Sequence, residues 1–361
     1  MARGLSRAPL ALALLAGVSS GASAAPAVAA KPSPVLVHYS FDDRLVDTGP
    51  DTFAVFRNAK GNVQLSTDFQ VSGHRSVEIR DVAGDGDFPE LQGYLPERRD
   101  GWLVIHFALL VADPKEELNV SFAGPGWFNL GPNGHALWLV TRDGWLHHTT
   151  GKAAKPLLAL EPYTWYAVDV DYDVTRGRYD LRVTVEGSAE PAVSLKDQPN
   201  ASDHPGSIVS LFSFVGSVYG DRSNVRFWLD DLWIGTSREA VLPPFVAPGR
   251  RKLFADRLDP RFQALRDAGR HAEAREYALE RVRQLKAEGA PPAAWLERAG
   301  DAAFAASDHA GAQRLYEQAL AITENRIPLL LKLSDVHHLL GHPDKEKKYR
   351  EEVYGSLDPR E

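Results

Sequence analysis

Two hydrophobic periods run along the chain, and they meet at a proline-rich stretch, Val241 to Pro248. Before it, apolar and polar positions alternate, the period of a half-buried strand. After it, apolar positions return every three or four residues, the period of an amphipathic helix. Residues 35–41, 76–82, 102–111, 118–122, 136–142, 145–149, 164–173, 179–185, 208–215 and 225–234 read as strands. Asp143-Gly144, between two of these runs, predicts a tight hairpin, because both turn positions favour positive φ. Roughly ten to fourteen strands with no long helix between them imply an all-β sandwich of two sheets.

The hairpin 164–185 shows how the faces divide. Tyr166, Val168, Val170 and Tyr172, with Tyr179, Leu181, Val183 and Val185, form the core side. Trp165, Asp169, Asp171 and Asp173 point the other way, as do Arg178, Asp180 and Arg182. In that register Asp173 faces Arg178, Asp169 faces Arg182 and Asp171 faces Asp180. The expectation is a solvated face whose opposite-charge pairs stabilise by ~0.2–1 kcal/mol each. An acidic cation site is the alternative.

Residues 255–354 carry a second grammar, paired helices with tetratricopeptide-like spacing. The clearest unit runs from Ala293 to Arg326, with Leu296, Gly300, Ala303, Ala312, Tyr316 and Ala319 in packing positions and Asp308-His309 at the turn. The next unit, Ile327 to Tyr354, has Glu346 where a small residue is expected. An earlier unit has Phe262 in such a position and Gly269 at its turn. Three hairpins are near the minimum for a stable stack. The division predicted is a signal peptide over 1–24, a sandwich over 33–237, a stiff linker over 238–254 and an all-α helical-hairpin repeat over 255–356.

Composition sharpens this picture. Arg3 and Arg7, the apolar run Leu10 to Val18 and the small residues Ala22 and Ala24 make an export signal. The run is too short to span a bilayer, and the expectation is a protein of the periplasm or the cell exterior. The chain has no cysteine, which excludes disulfides, thiol nucleophiles and thiolate metal sites. Residues 25–249 carry 19 Lys and Arg against 29 Asp and Glu; residues 250–361 carry 20 against 19. An acidic sandwich repels phosphate backbones, so nucleic acid is excluded as a partner.

Three stretches resemble the concanavalin A-like lectin/glucanase jelly roll in its laminin-G-like branch. They are His38-Tyr39-Ser40-Phe41-Asp42-Asp43, Thr164-Trp165-Tyr166 through Gly177-Arg178-Tyr179, and Phe227 to Ile234. Ser72-Gly73-His74-Arg75-Ser76 is similar to a turn of carbohydrate-binding jelly rolls. The resemblance implies a multidomain chain, a jelly-roll sandwich followed by helical repeats, and a glycan or cell-surface ligand. It also implies a structural calcium where opening and closing strands meet, with Asp42, Asp43, Asp230 and Asp231 as hard oxygen ligands. A bulge at Asp230-Asp231, where alternation breaks, would re-aim a carboxylate.

Catalysis by this fold needs paired carboxylates about 5–5.5 Å apart for retaining hydrolysis. The nearest acidic alternation, Asp169 to Asp173, contains no glutamate. Arg75 to Arg80 and Val104 to His106 match fragments of a lyase site with the wrong spacing. For ligand binding, the loop 124–134 carries two large aromatics, Trp127 and Phe128, which either meet a sugar or plug the end of the sandwich. Trp145 and His147 share one strand face, as do Trp138 and Arg142, and could line a groove or pack in the core. Three readings follow: a non-catalytic exported recognition protein whose repeats bind a protein partner, a glycoside hydrolase or polysaccharide lyase, and an envelope assembly module without sugar binding.

Overall fold

Alternation does produce strands. A computed structural model describes residues 34–39, 41, 53–56, 62–82, 89–124, 134–150, 153–202, 208–216, 224–238, 259–323 and 326–354. The predicted signal peptide and the proline-rich linker from 239 onward lie outside these residues. Two antiparallel sheets form a jelly-roll-like sandwich. In chain order the strands are β1 Val35–Tyr39, β2 Phe53–Phe56, β3 Asn62–Ser66, β4 Ser76–Arg80, β5 Glu90–Arg98, β6 Trp102–Val111, β7 Leu118–Ala123 and β8 His135–Arg142. There follow β9 Trp145–Thr150, β10 Ala153–Ala159, β11 Trp165–Asp173, β12 Arg178–Val185, β13 Val193–Pro199, β14 Val209–Val215 and β15 Arg226–Gly235. The first sheet runs β13-β12-β11-β6-β15-β4-β3, with β1 also paired to β15; the second runs β10-β9-β8-β7-β14-β5-β2.

Between the sheets lies one apolar core, to which β6 contributes Leu103, Ile105, Phe107 and Leu109, and the second sheet Val120, Phe122, Leu137, Phe212 and Phe214. The β8–β9 turn is as expected, with Asp143 at φ 54° and Gly144 at φ 83°. The strands missing from the predicted runs are β2, β3, β5, β10 and β13, and the last three carry proline. Pro156 lies in β10 and Pro199 ends β13, both at sheet edges, where a missing N–H leaves no ladder bond unmade. Pro96 in β5 sits where its register with β14 shifts, between Tyr94 and Arg98.

The β11–β12 register is the one the sequence implied, with Asp169 opposite Arg182 and Asp171 opposite Asp180. The ion pairs are not the expected ones. Asp169 takes His106 Nδ1 at 2.7 Å, Arg182 reaches diagonally to Asp171 at 3.6 Å, and Asp180 pairs with Lys196 at 2.7 Å. Long side chains choose among diagonal and flanking partners that a two-strand register omits. Nor is Trp165 solvated: it is buried on the outer face of the first sheet with Trp228, Leu110 and two residues of the 67–75 loop, Phe69 and Val71.

Among the described residues six helices follow: α1 Pro260–Asp267, α2 His271–Ala287, α3 Ala293–Ala305, α4 His309–Leu320, α5 Ile327–Leu339 and α6 Pro343–Tyr354. Each packs on the next along the chain. Asp259 and Asp308 cap α1 and α4 by accepting the N–H groups of Phe262 and Gly311 at 2.8 Å each. Gly300 is a packing requirement: a Cβ there would lie 2.4 Å from the Tyr316 ring. Phe262 is tolerated at its position because its ring meets Trp295 edge-on at 6.1 Å between centroids. Glu346 lies near the surface and accepts from His338 Nδ1 at 3.1 Å. No helix among the described residues is long and apolar enough to cross a membrane.

Pro34 to Glu361 fall into one compact unit, and the described polar contacts between helices and sandwich show why. They come from α1 and α5 and reach the first sheet and its loops, while α3 joins through Lys332 of α5. Arg75, 1% exposed, makes a bidentate pair with Asp335 of α5 at 2.8 and 3.0 Å. Arg226 of β15 bonds Glu78 at 2.5 Å and Asp267 of α1 at 2.7 Å. Asp68 accepts Arg266 of α1 at 2.8 Å and lies 3.9 Å from Lys332 of α5, which also binds Asp301 at 2.7 Å and Glu297 at 2.9 Å on α3. Burial alone would raise the Asp68 carboxyl; Arg266, Lys332 and Arg226 overcome it and hold the group well below the usual carboxylate range. A cavity of about 60 Å³ remains among Asp68, Glu78, Arg266, Asp301 and Lys332.

Removing one partner of a buried pair leaves the other charge unsolvated. Arg75→Ala is therefore expected to lower unfolding stability by about 3–5 kcal/mol in urea titration, while Arg75→Met combined with Asp335→Leu costs far less. Gly300→Val, which drives a branched side chain into Tyr316, is expected to cost about 1–3 kcal/mol by the same measurement.

Candidate functional site

Because the helices meet the first sheet, the outward residues of the second sheet have no helical cover among the described contacts. Alternation places them. Leu91, Val120, Phe122, Leu139, Phe212 and Phe214 face the core, so their neighbours face out. The ladder sets Gln92 beside Ser213, Ser213 beside Ser121, and Ser121 beside Trp138. The adjacent row sets Glu90 beside Val215, then Asn119, Val140 and His147.

These side chains bond to one another. Ser213 Oγ donates to Glu90 Oε1 at 2.5 Å, and Tyr94 OH donates to Gln92 Oε1 at 3.1 Å. Ser121 Oγ meets His135 Nδ1 at 2.5 Å, and the His135 ring stacks on Trp138 at 4.6 Å between centroids. Trp138 Nε1 donates to Asn119 Oδ1 at 3.0 Å, and Asn119 Nδ2 donates to Glu117 at 3.0 Å. Tyr94 and Trp145 stand out at 54% and 44% exposure, while Glu90, Gln92, Ser121 and Ser213 are buried. Burial raises the Glu90 carboxyl, opposed by the Ser213 hydroxyl. Burial lowers His135 to about 4, so its ring is neutral at pH 7. The face thus holds buried amide, hydroxyl and carboxyl groups and a half-buried imidazole beside the exposed rings of Tyr94 and Trp145.

Among the residues expected from sequence, Trp145 and His147 lie on this face. His147 is half-buried with both ring nitrogens shielded and without a hydrogen-bond partner. His148 points the other way, into the core, where its Nδ1 meets Tyr179 OH at 2.8 Å. Trp138 is brought together with Ser121 and His135, whereas Arg142 lies further along, opposite Trp145. Trp127, Phe128, Asp42 and Asp43 lie outside the described residues.

The ladder between β15 and β6 shifts register between Asp230 and Trp233, and Asp231 has φ 48°. Asp230, fully buried, accepts the backbone N–H of Val71 at 2.6 Å, of Ser72 at 3.2 Å and of Asp231 at 2.8 Å. Asp231 accepts the Ser72 hydroxyl. Two carboxylates engaged this way clamp the 67–75 loop onto the first sheet. No three His, Asp or Glu side chains converge as metal ligands among the described residues.

Sequence reasoning missed Glu90, Gln92, Tyr94, Asn119, Ser121, His135 and Ser213. Their signal was present. Glu90-Leu91-Gln92 and Leu118-Asn119-Val120-Ser121-Phe122 alternate strictly, but polar residues on a strand's outer side read as ordinary solvated positions until the other strands are laid beside them.

No protein-family model matches the sequence, and no curated protein matches it. Solved structures similar to the sandwich include a GH131 beta-glucanase catalytic domain from Podospora anserina, at 13% identity over 59% of this chain and 99% of that one, with TM-score 0.43. Lectin UEA-II complexed with galactose is similar at 9% identity over 55% of this chain and 98% of that one, TM-score 0.37. A sialidase is similar at 10% identity and TM-score 0.43 over 58% of this chain, which spans only 19% of that protein's length. Likenesses of this size carry no information on activity.

Titration of the buried histidine behind this face has a clear sign. Burial first, then Lys155 and His147, lowers His148 from 6.5 to about 4. The unfolded chain therefore takes up this proton more readily, so the contribution is intact above pH 6.5 and is lost as pH falls toward about 4. Urea unfolding should show a loss of at most about 3 kcal/mol across that window, reduced in His148→Gln.

Proposed function

We propose that the protein is an exported, non-catalytic recognition protein that binds a glycan on the outer face of its second sheet, with a concanavalin A-like sandwich as the reader. The observation that carries this reading is the ladder row Gln92, Ser213, Ser121 and Trp138, whose side chains are held by bonds to Tyr94, Glu90, His135 and Asn119, with the exposed rings of Tyr94 and Trp145 on the same face. Sugars present apolar faces for aromatic stacking and hydroxyls that need paired donors and acceptors. A sheet-held row supplies both in fixed geometry, so little side-chain freedom is lost on binding.

The helical part has a different role in this reading. The inner helices α1, α3 and α5 already hold the sandwich. A protein partner would meet the groove of about 770 Å³ along α1 and α2, lined by Arg261, Arg270, Glu273, Glu276, Tyr277 and Arg281. Its interleaved charges suit a polar peptide.

The hydrolase or lyase reading draws on one observation, the buried carboxyl of Glu90, which burial shifts upward, the direction a general acid requires. The decisive experiment is retention of the full chain on a panel of immobilised polysaccharides, with analysis of released sugars. Retention on one class with the polymer recovered intact is expected. Tyr94→Ala and Trp138→Ala should each weaken it about tenfold, equivalent to ~1.4 kcal/mol. New reducing ends or unsaturated products that vanish in Glu90→Gln would replace binding by catalysis. No retention anywhere would remove the glycan reading.

A further inference from the structure

The end of α5 brings two imidazoles together by backbone geometry. Leu340 caps the helix, and Gly341 follows at φ 70°, the left-handed conformation that lets a helix stop and reverse. The N–H of His342 donates to the carbonyl of His337 at 2.8 Å, and the N–H of Gly341 donates to the carbonyl of His338 at 3.0 Å. This is the paired-bond pattern of a Schellman motif, in which the residue after the glycine folds onto the one five positions earlier. That contact is commonly apolar. Here both members are histidines, and their Nδ1 atoms lie 3.3 Å apart.

That separation has chemical meaning. Two imidazole nitrogens bound to one tetrahedral ion at about 2.0–2.1 Å each are separated by about 3.3–3.4 Å. The pair is preorganised. His337 is fully buried, stacked on Tyr349 at 5.5 Å with 8° between planes, while His342 is exposed. The C-terminal end of a helix also favours positive charge, because its last carbonyls are unmatched within the helix. Lys345 on α6 opposes a cation beside His337 and Glu317 on α4 favours one, so the local charges are mixed. We propose that His337 and His342 form a two-nitrogen site for a divalent first-row transition ion such as Zn²⁺, with water completing the coordination. The site is separate from the sheet face above and does not depend on the glycan reading.

The absence of cysteine makes the test clean, since no thiolate competes. Zn²⁺ alone would be titrated into the full chain against a chromophoric chelator. One ion per chain at micromolar affinity is expected. His342→Ala, on the exposed partner, should weaken binding more than about tenfold without changing the far-ultraviolet circular dichroism. His147→Ala should leave it unchanged. Co²⁺ should give a visible d–d band in the parent and not in His342→Ala. Equal affinity in the parent and His342→Ala, or no binding below 0.1 mM (about 5.5 kcal/mol) in the parent, would overturn the site.

Discussion

Everything else in this molecule is arranged around a set of charges buried between the first sheet and the inner helices. Asp68, Glu78, Arg226, Arg266 and Lys332 are out of bulk water, and an ion there is tolerable only when other groups replace its hydration. Asp68 with Arg266 and Arg226 with Asp267 cross the boundary; Lys332 reaches across to Asp68 at 3.9 Å while it bonds Asp301 on the neighbouring helix, and Glu78 holds Arg226 from within the sheet. Such an arrangement is demanding in geometry. A shift of one helix pair would strand several charges at once, so the two hydrophobic grammars of the chain behave as one folded object.

The consequences reach both faces of the sandwich. On the first sheet, the 67–75 loop lies flat because Asp230 and Asp231 hold its backbone and Ser72, and because Phe69 packs against Trp228 at 4.6 Å between centroids. The same loop carries Asp68 and Arg75 into the helices. The carboxylates at the β15 bulge thus act in docking the helical part, two steps removed from it. On the second sheet, no such cover comes from the helices among the described contacts, and the outward row is polar, with each side chain held by a neighbour off the row. The first sheet packs against the protein's own helices.

Much of the fold was legible. Alternation located most strands and the break at Asp230-Asp231, turn chemistry located Asp143-Gly144, and Gly300 marked a close approach of α3 to Tyr316 of α4. These are local signals, set by a side chain's own period or by a backbone conformation that few residues adopt. The strands with Pro96, Pro156 and Pro199 were hidden, since proline argues against a strand unless the strand is known to lie at an edge or a register shift. The candidate site was barely legible. Trp145 and His147 were visible as an aromatic and an imidazole on one strand face, but Glu90, Ser121 and Ser213 come from β5, β7 and β14. No spacing in sequence ties them.

By itself the sequence determined periods, turns and caps: which stretches become strands or helices, and which side of each is apolar. It also set the contact between His337 and His342, because a glycine at a helix end closes that turn locally. Only the tertiary structure decided which sheet the helices cover, which partner each charge takes and which outward rows become neighbours. The physical reason is that Coulombic and hydrogen-bond partners are chosen by distance in space. Asp169 could have paired with Arg182 on the adjacent strand, and instead it pairs with His106 on the strand at its other side.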